Sequence, residues 1–187
     1  MKLYPNYYCK RVTDLSAQFL KSHNIKGLIL DVDNTLIDYD KNLLEGVKDW
    51  YKEIKENNIK CIILSNSHRL KKVKAVAETI EIPYIFFGTK PLKRGFNRAQ
   101  KELNIQKENI AVVGDQIFTD VIGANRLNMF SILVEPVAEK DIFITKIKRP
   151  IEEMIIKKYL KEQERKKHNS AVRIEDAVDK EKERDDR

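Results

Sequence analysis

The chain predicts an α/β protein built on a single doubly wound, mostly parallel sheet. Five short runs of Ile, Leu and Val alternate with amphipathic segments of helical length. The runs show no polar alternation, as expected of strands covered on both faces. At 187 residues and 42% hydrophobic content, the chain holds enough apolar surface for one core.

The elements follow in order. A first helix is expected with Thr13 or Asp14 as its cap ahead of Leu15, Phe19 and Leu20. Strands are expected at Gly27–Asp31, Lys60–Ser65, Pro83–Phe87, Ile110–Gly114 and Phe130–Val134. The helices between them are expected at Gly46–Asn57, Ser67–Thr79, Leu92–Leu103 and Thr119–Asn128. A last helix over Ile151–Lys167 would pack Ile151, Met154, Ile155 and Tyr159 onto the body. From Lys161 to Arg187 about two residues in three are charged, with mixed signs. The expected division is a folded domain over 1–160 and a charged tail over 161–187, disordered or a solvated helix.

The net charge of +7, with 35% charged residues, favours an anionic partner: a phosphorylated metabolite, a nucleic acid or an acidic membrane surface. Cys9 and Cys61 are too few for a disulfide framework or a zinc site, which points to a reducing compartment. The opening residues lack the apolar core of a signal peptide, and no apolar run is long enough to span a bilayer. A cytoplasmic protein is expected, with any membrane contact peripheral.

In a doubly wound sheet, ligands bind beyond the carboxyl ends of the strands, where strand order reverses. The residues closing each run therefore matter most. The first run ends in Asp31-Val32-Asp33-Asn34-Thr35, and the second in Ser65-Asn66. Gly88-Thr89-Lys90-Pro91 follows the third, and Gly114-Asp115 closes the fourth, with Asp120 five residues later. Two carboxylates one residue apart divide two jobs: Asp31 to attack phosphorus or hold a metal, Asp33 to move a proton on and off a leaving oxygen. Each segment alone also suits a turn or a helix cap. Their common position at one sheet edge favours the chemical reading.

This ordered set closely resembles the haloacid dehalogenase superfamily, whose Rossmann-like fold carries aspartyl-phosphate chemistry. Asp31–Thr35 matches D-x-D-N-T, Cys61–Ser65 the hydrophobic run ending in Ser, Lys90 the lysine, and Gly114–Asp120 G-D-x-x-x-x-D. Tyr4-Pro5, Ile25-Lys26-Gly27, Lys90-Pro91 and Gly114-Asp115-Gln116 with Thr119-Asp120 look more narrowly like subfamily IIIA. Within it they resemble the YqeG family and its mitochondrial relatives, the phosphatidylglycerophosphate phosphatases.

The resemblance implies Mg²⁺ held by Asp31, Asp115 and the Asp33 backbone carbonyl, with Asp120 as a further ligand or beside one. It implies Asp31 as nucleophile and Asp33 as acid and base, with Ser65 and Lys90 holding the phosphoryl oxygens. Superfamily members that cleave carbon–halogen bonds lack the second acid, so Asp33 favours phosphoryl transfer. Asn34 and Thr35 are expected to fix the loop.

No cap domain is expected, because Leu36–Leu44 has room only for a short hairpin and Ser65–Lys90 for one helix and one strand. An open site suits a substrate whose bulk lies outside it. Its surroundings are basic: His68, Arg69, Lys71, Lys72 and Lys74 after the second motif, Lys93, Arg94, Arg98 and Lys101 after Lys90. Asn66, Arg69, Lys93 and Arg94 are candidate substrate contacts. Cations at a helix start oppose its dipole, and an anionic ligand at the mouth accounts for them. Such a rim suits a phosphomonoester on an anionic bilayer. Three readings follow: a phosphatidylglycerophosphate phosphatase, the same chemistry on a soluble phosphometabolite or phosphoprotein, or an RNA- or ribosome-binding protein with vestigial catalysis. The intact motifs and the lack of an aromatic-rich basic stripe weigh against a nucleic-acid partner.

Overall fold

The computed structural model describes residues 3–137 and 150–165. Six strands form one sheet: β1 (Tyr7–Cys9), β2 (Gly27–Leu30), β3 (Lys60–Leu64), β4 (Tyr84–Ile85), β5 (Ile110–Gly114) and β6 (Phe130–Val134). All pair in parallel, in the order β1-β6-β5-β2-β3-β4. The α-helices that follow and flank these strands are α1 (Ala17–Ser22), α2 (Val47–Glu56), α3 (Leu70–Ile80), α4 (Lys93–Leu103) and α5 (Ile122–Asn125). The α/β doubly wound architecture is as expected, with no cap domain among the described residues.

Alternating side chains of each strand feed opposite faces of the sheet. Leu28, Leu30, Cys61, Ile63, Ala111 and Val113 join one apolar cluster with Leu20 of α1, Trp50 and Ile54 of α2, and Val73 and Val76 of α3. Ile29, Ile62, Leu64 and Val112 join another with Phe96, Ala99 and Leu103 of α4 and Ala124 of α5. Both faces of the central strands are therefore covered, which is why their sequences read as unbroken apolar runs. Fully burying a side chain such as Phe96 contributes about 1.5–3 kcal/mol.

Several local expectations are corrected. The edge strand β1 was not expected. The Asn6 side-chain carbonyl accepts from Ser131 N–H and Oγ at 2.9 Å each, and Tyr8 OH donates to Glu135 at 3.0 Å, which fixes β1 beside β6. The cap of α1 is Ser16, whose hydroxyl accepts from Phe19 N–H, rather than Thr13 or Asp14, which lie in a preceding 3₁₀ turn. The expected strand Pro83–Phe87 shrinks to Tyr84–Ile85, because Phe87 and Thr89 turn into the left-handed region with φ of 55° and 54°. The expected helix Thr119–Asn128 is a π-type turn over Ile117–Val121 followed by the short α5.

Contacts divide the chain into two compact units, Met1–Ile144 and Thr145–Arg187. The first contains the sheet. In the second, residues 150–165 are helical, with Ile155 and Tyr159 buried. Ile151 and Met154, expected to pack, are exposed, so the buried stripe of this helix is narrower than the sequence pattern. The tail beyond 165 lies outside the described residues. No helix among the described residues is long and apolar enough to cross a membrane.

Candidate active site

The order in which strands are added reverses beside β2, which has β3 on one side and β5 on the other. Asp31 continues β2 by one residue and donates its N–H to Val113 O at 2.9 Å. Asp115 directly follows β5, so the two carboxylates emerge from neighbouring strands. Asp31, Asp115 and Asp120 are all buried, and each offers a carboxylate oxygen within 4.8 Å of the others. The turn that carries Asp120 lies close over the end of β5. A Cβ built on Gly114 would lie 2.3 Å from Asp120 Cγ, so only glycine permits this approach. Asp120 Oδ2 accepts from Thr119 Oγ1 at 3.1 Å and Gln116 N–H at 3.4 Å, holding the π-type turn in place of the expected regular helix.

Lys90 reaches into this cluster. Its Nζ lies 2.8 Å from Asp31 Oδ1 and 2.6 Å from Asp120 Oδ1, with all three side chains buried. Its backbone is held by the Asn66 amide in both directions: Asn66 Nδ2 donates to Lys90 O at 2.9 Å and Lys90 N–H donates to Asn66 Oδ1 at 2.7 Å. The Lys90–Pro91 peptide is cis. Helix α4 packs tightly behind this loop, since a Cβ on Gly95 would lie 1.9 Å from Gly88 O. Glycine inside a helix costs about 1 kcal/mol relative to alanine, and here it permits that approach.

Ser65 is buried between the same segments. Its carbonyl accepts from Gly88 N–H at 2.7 Å and its hydroxyl oxygen from Ser67 N–H at 3.1 Å. Asn34, at φ 56°, donates its amide to Asp115 Oδ2 at 3.3 Å, a left-handed position that asparagine tolerates well. Thr35 is buried beside this loop. The flap is the expected short hairpin: Ile37 bridges Leu43 antiparallel, and Leu44 N–H donates to Leu36 O at 2.9 Å.

Asp33 is only half-buried and forms an ion pair with Lys72 of α3. Lys72 is thus not a free cation of the rim, as its place in a lysine-rich helix suggested. Arg69 is the residue before α3, and Lys93 and Arg94 begin α4; all three are exposed. The sequence did not reveal the Lys72–Asp33 pair or the Asn66 clamp. A glycine within the amphipathic pattern of α4 was the available signal for the close packing at Gly95.

Burial pushes the Asp31 carboxyl up to about 6, with Asp120 adding to the rise and Lys90 opposing it. Burial, then Asp31 and Asp120, raise Asp115 well above the usual carboxylate range, against Lys90 and Asn34. For Lys90, burial acts downward, but Asp120 and Asp31 outweigh it and hold the ammonium above its ordinary value. Three carboxylates face one ammonium, so full ionisation leaves two negative charges uncompensated. Asp115 Oδ1 is also buried without a hydrogen-bond partner. An unpartnered anionic oxygen in an all-oxygen donor set with excess negative charge fits a small hard divalent cation.

Comparison with known proteins agrees with this geometry. "Probable phosphatase YqeG" of Bacillus subtilis (strain 168) is 40% identical over 153 residues, covering 81% of this chain and 88% of that protein. A family profile described as haloacid dehalogenase-like hydrolase matches residues 40–128. The chain belongs to the haloacid dehalogenase-like hydrolases. A second relative is "Phosphatidylglycerophosphate phosphatase 1, chloroplastic/mitochondrial" of Arabidopsis thaliana, 25% identical over 169 residues. That match covers 84% of this chain but 48% of the relative, so the chain spans about half its length. An uncharacterized protein from Listeria monocytogenes serotype 4b shares the fold, with a TM-score of 0.52 at 20% identity over 63% of this chain and 85% of that one. The chain is thus a hydrolase of this family, similar to the probable phosphatase YqeG.

Proposed function

We propose that the chain is a Mg²⁺-dependent phosphomonoesterase that works through an aspartyl-phosphate on Asp31. Its proposed substrate is phosphatidylglycerophosphate, converted to phosphatidylglycerol. The observation that carries the chemistry is the buried Lys90 ammonium between Asp31 and Asp120, beside an unpartnered Asp115 oxygen.

In this reading, a carboxylate oxygen of Asp31 attacks phosphorus as the bond to the leaving alkoxide breaks, and Asp33 gives that oxygen its proton. Asp33 then takes a proton from the water that attacks the acyl phosphate, releasing inorganic phosphate and restoring Asp31. Lys90 and the Ser65 hydroxyl hold the phosphoryl oxygens, where charge must be stabilised. Asp120 keeps Lys90 in place, and Asn66 does so through the backbone. A divalent cation would be held by Asp31, Asp115 and the Asp33 carbonyl, and would supply the positive charge that lets a carboxylate approach a phosphate dianion.

The lipid substrate is supported by the 25% identical relative and by a site whose flap is only a hairpin. Arg69, Lys93 and Arg94 are the proposed contacts to the phosphate-bearing headgroup. The chemistry is assigned to residues 1–160, with 161–187 outside it. A cytoplasmic location with peripheral membrane contact completes the reading; the two free, buried cysteines suit a reducing compartment.

The test is phosphate release from short-chain phosphatidylglycerophosphate, compared with a panel of soluble phosphomonoesters. A clear preference in kcat/KM for the lipid supports the substrate. Preference for a soluble ester leaves the chemistry standing and overturns the lipid.

A further inference from the structure

Four large apolar side chains stand exposed on two neighbouring segments beside the active site. Leu70 is 40% exposed, Phe86 43%, Phe87 54% and Leu92 56%. Phe86 and Phe87 follow the end of β4, Leu92 lies between Lys90 and α4, and Leu70 opens α3 after the Ser65 loop. Because every strand is parallel, these positions lie at the same sheet edge as Asp31 and Asp115. The segments are also joined directly: the His68 and Phe87 rings meet at 4.8 Å, and Asn66 clamps Lys90. Apolar groups gathered beside a catalytic mouth mark a binding surface more often than scattered exposure does.

The two segments that carry them hold cations and no carboxylate. From Asn66 to Ala77 and from Ile82 to Lys101 the sequence contains no Asp or Glu. Arg69, Lys71, Lys93 and Arg94 are exposed, and among the described residues none of them pairs with a carboxylate. Aliphatic Leu70 and Leu92 offer a nucleic-acid base nothing to stack on, whereas hydrocarbon accepts rings and aliphatic chains alike. Apolar side chains flanked by uncompensated cations match an anionic bilayer, with hydrocarbon below and phosphates above.

We infer that Leu70, Phe86, Phe87 and Leu92 insert into an anionic lipid surface while Arg69, Lys71, Lys93 and Arg94 engage its headgroups. The active site is thereby seated on the membrane plane. This deepens the lipid reading of the site and rests on it for its purpose. The docking itself needs no substrate.

The experiment uses the full chain and vesicles that contain no phosphomonoester, either pure phosphatidylcholine or equimolar phosphatidylcholine and phosphatidylglycerol. The wild type is expected to cosediment with the anionic vesicles. The Phe87→Ser, Leu92→Ser double variant should bind them about tenfold or more weakly, yet hydrolyse p-nitrophenyl phosphate at the wild-type rate. A second variant, Phe87→Trp, should show a blue-shifted emission with anionic vesicles and quenching by brominated lipid, against the constant background of buried Trp50. Unchanged vesicle binding by the double variant, or no spectral response from Phe87→Trp, overturns the inference. So does loss of binding to single-stranded RNA with vesicle binding intact, which would make this an RNA surface. Failure of the phosphatase reading would appear separately, as absent wild-type turnover with vesicle binding retained.

Discussion

Lys90 and Asp120, thirty residues apart in the chain, meet as a buried ion pair with Nζ 2.6 Å from Oδ1. The same ammonium touches Asp31 at 2.8 Å, so one cation joins the end of β2 to the turn after β5. Lys90→Met would leave three buried carboxylates without it. Leaving buried charge unpaired in this way costs about 3–5 kcal/mol. The variant should therefore show that loss by denaturant unfolding in chelator, should regain part of it with Mg²⁺, and should lose turnover. Wild-type stability in chelator would mean that the lysine does not compensate the cluster.

The raised carboxyl of Asp31 sets a pH signature. A group whose folded value is raised, from 3.8 to about 6 here, favours the fold most below its unfolded value. That contribution is lost as pH rises through about 6, and Asp115 acts in the same direction. In chelator, the wild type should lose stability relative to Asp31→Asn between about pH 4 and pH 7. Divalent cation affinity should rise over the same interval, because the ion displaces protons. Thermal melts across this range check both, and a constant difference between the two proteins would contradict the assignment.

The pair between Lys72 and Asp33 separates two functions. Asp33→Asn should retain cation affinity while losing turnover by about 10²–10⁴, the usual contribution of a positioned acid or base. Lys72→Met removes only the partner, so its loss should be far smaller. Measured kcat for an alkyl ester and for an ester with an acidic leaving group checks this. The Asp33→Asn defect should shrink for the acidic leaving group in the first half-reaction, which needs its proton less.

Much of the candidate centre was legible because Asp31, Ser65 and Asp115 directly follow apolar runs, Lys90 and Asp120 come a few residues later, and a parallel sheet brings such ends together. Asp31, Ser65, Lys90, Asp115 and Asp120 all sit at the edge expected of them. The sequence did not reveal the partnerships that depend on distant elements. Lys72 and Asp33 are 39 residues apart, and nothing local distinguishes Lys72 from its lysine neighbours. Strand β1 spans three residues, too short for periodicity, and is fixed by Asn6, Ser131 and Glu135 far along the chain. The π-type turn follows from hydrogen bonds made by Asp120, which a helical pattern does not encode.

The central claim is that Asp31 becomes covalently phosphorylated. With p-nitrophenyl phosphate, whose leaving group needs little protonation, Asp33→Asn should form the acyl phosphate but hydrolyse it slowly. Acid quenching during turnover, followed by mass spectrometry of the peptide containing Asp31, reads this directly. The account predicts the added mass of one phosphoryl group on Asp31, absent from an Asp31→Asn, Asp33→Asn double variant that also releases no phosphate. Phosphate release by a metal-replete Asp31→Asn protein at the wild-type rate would contradict it.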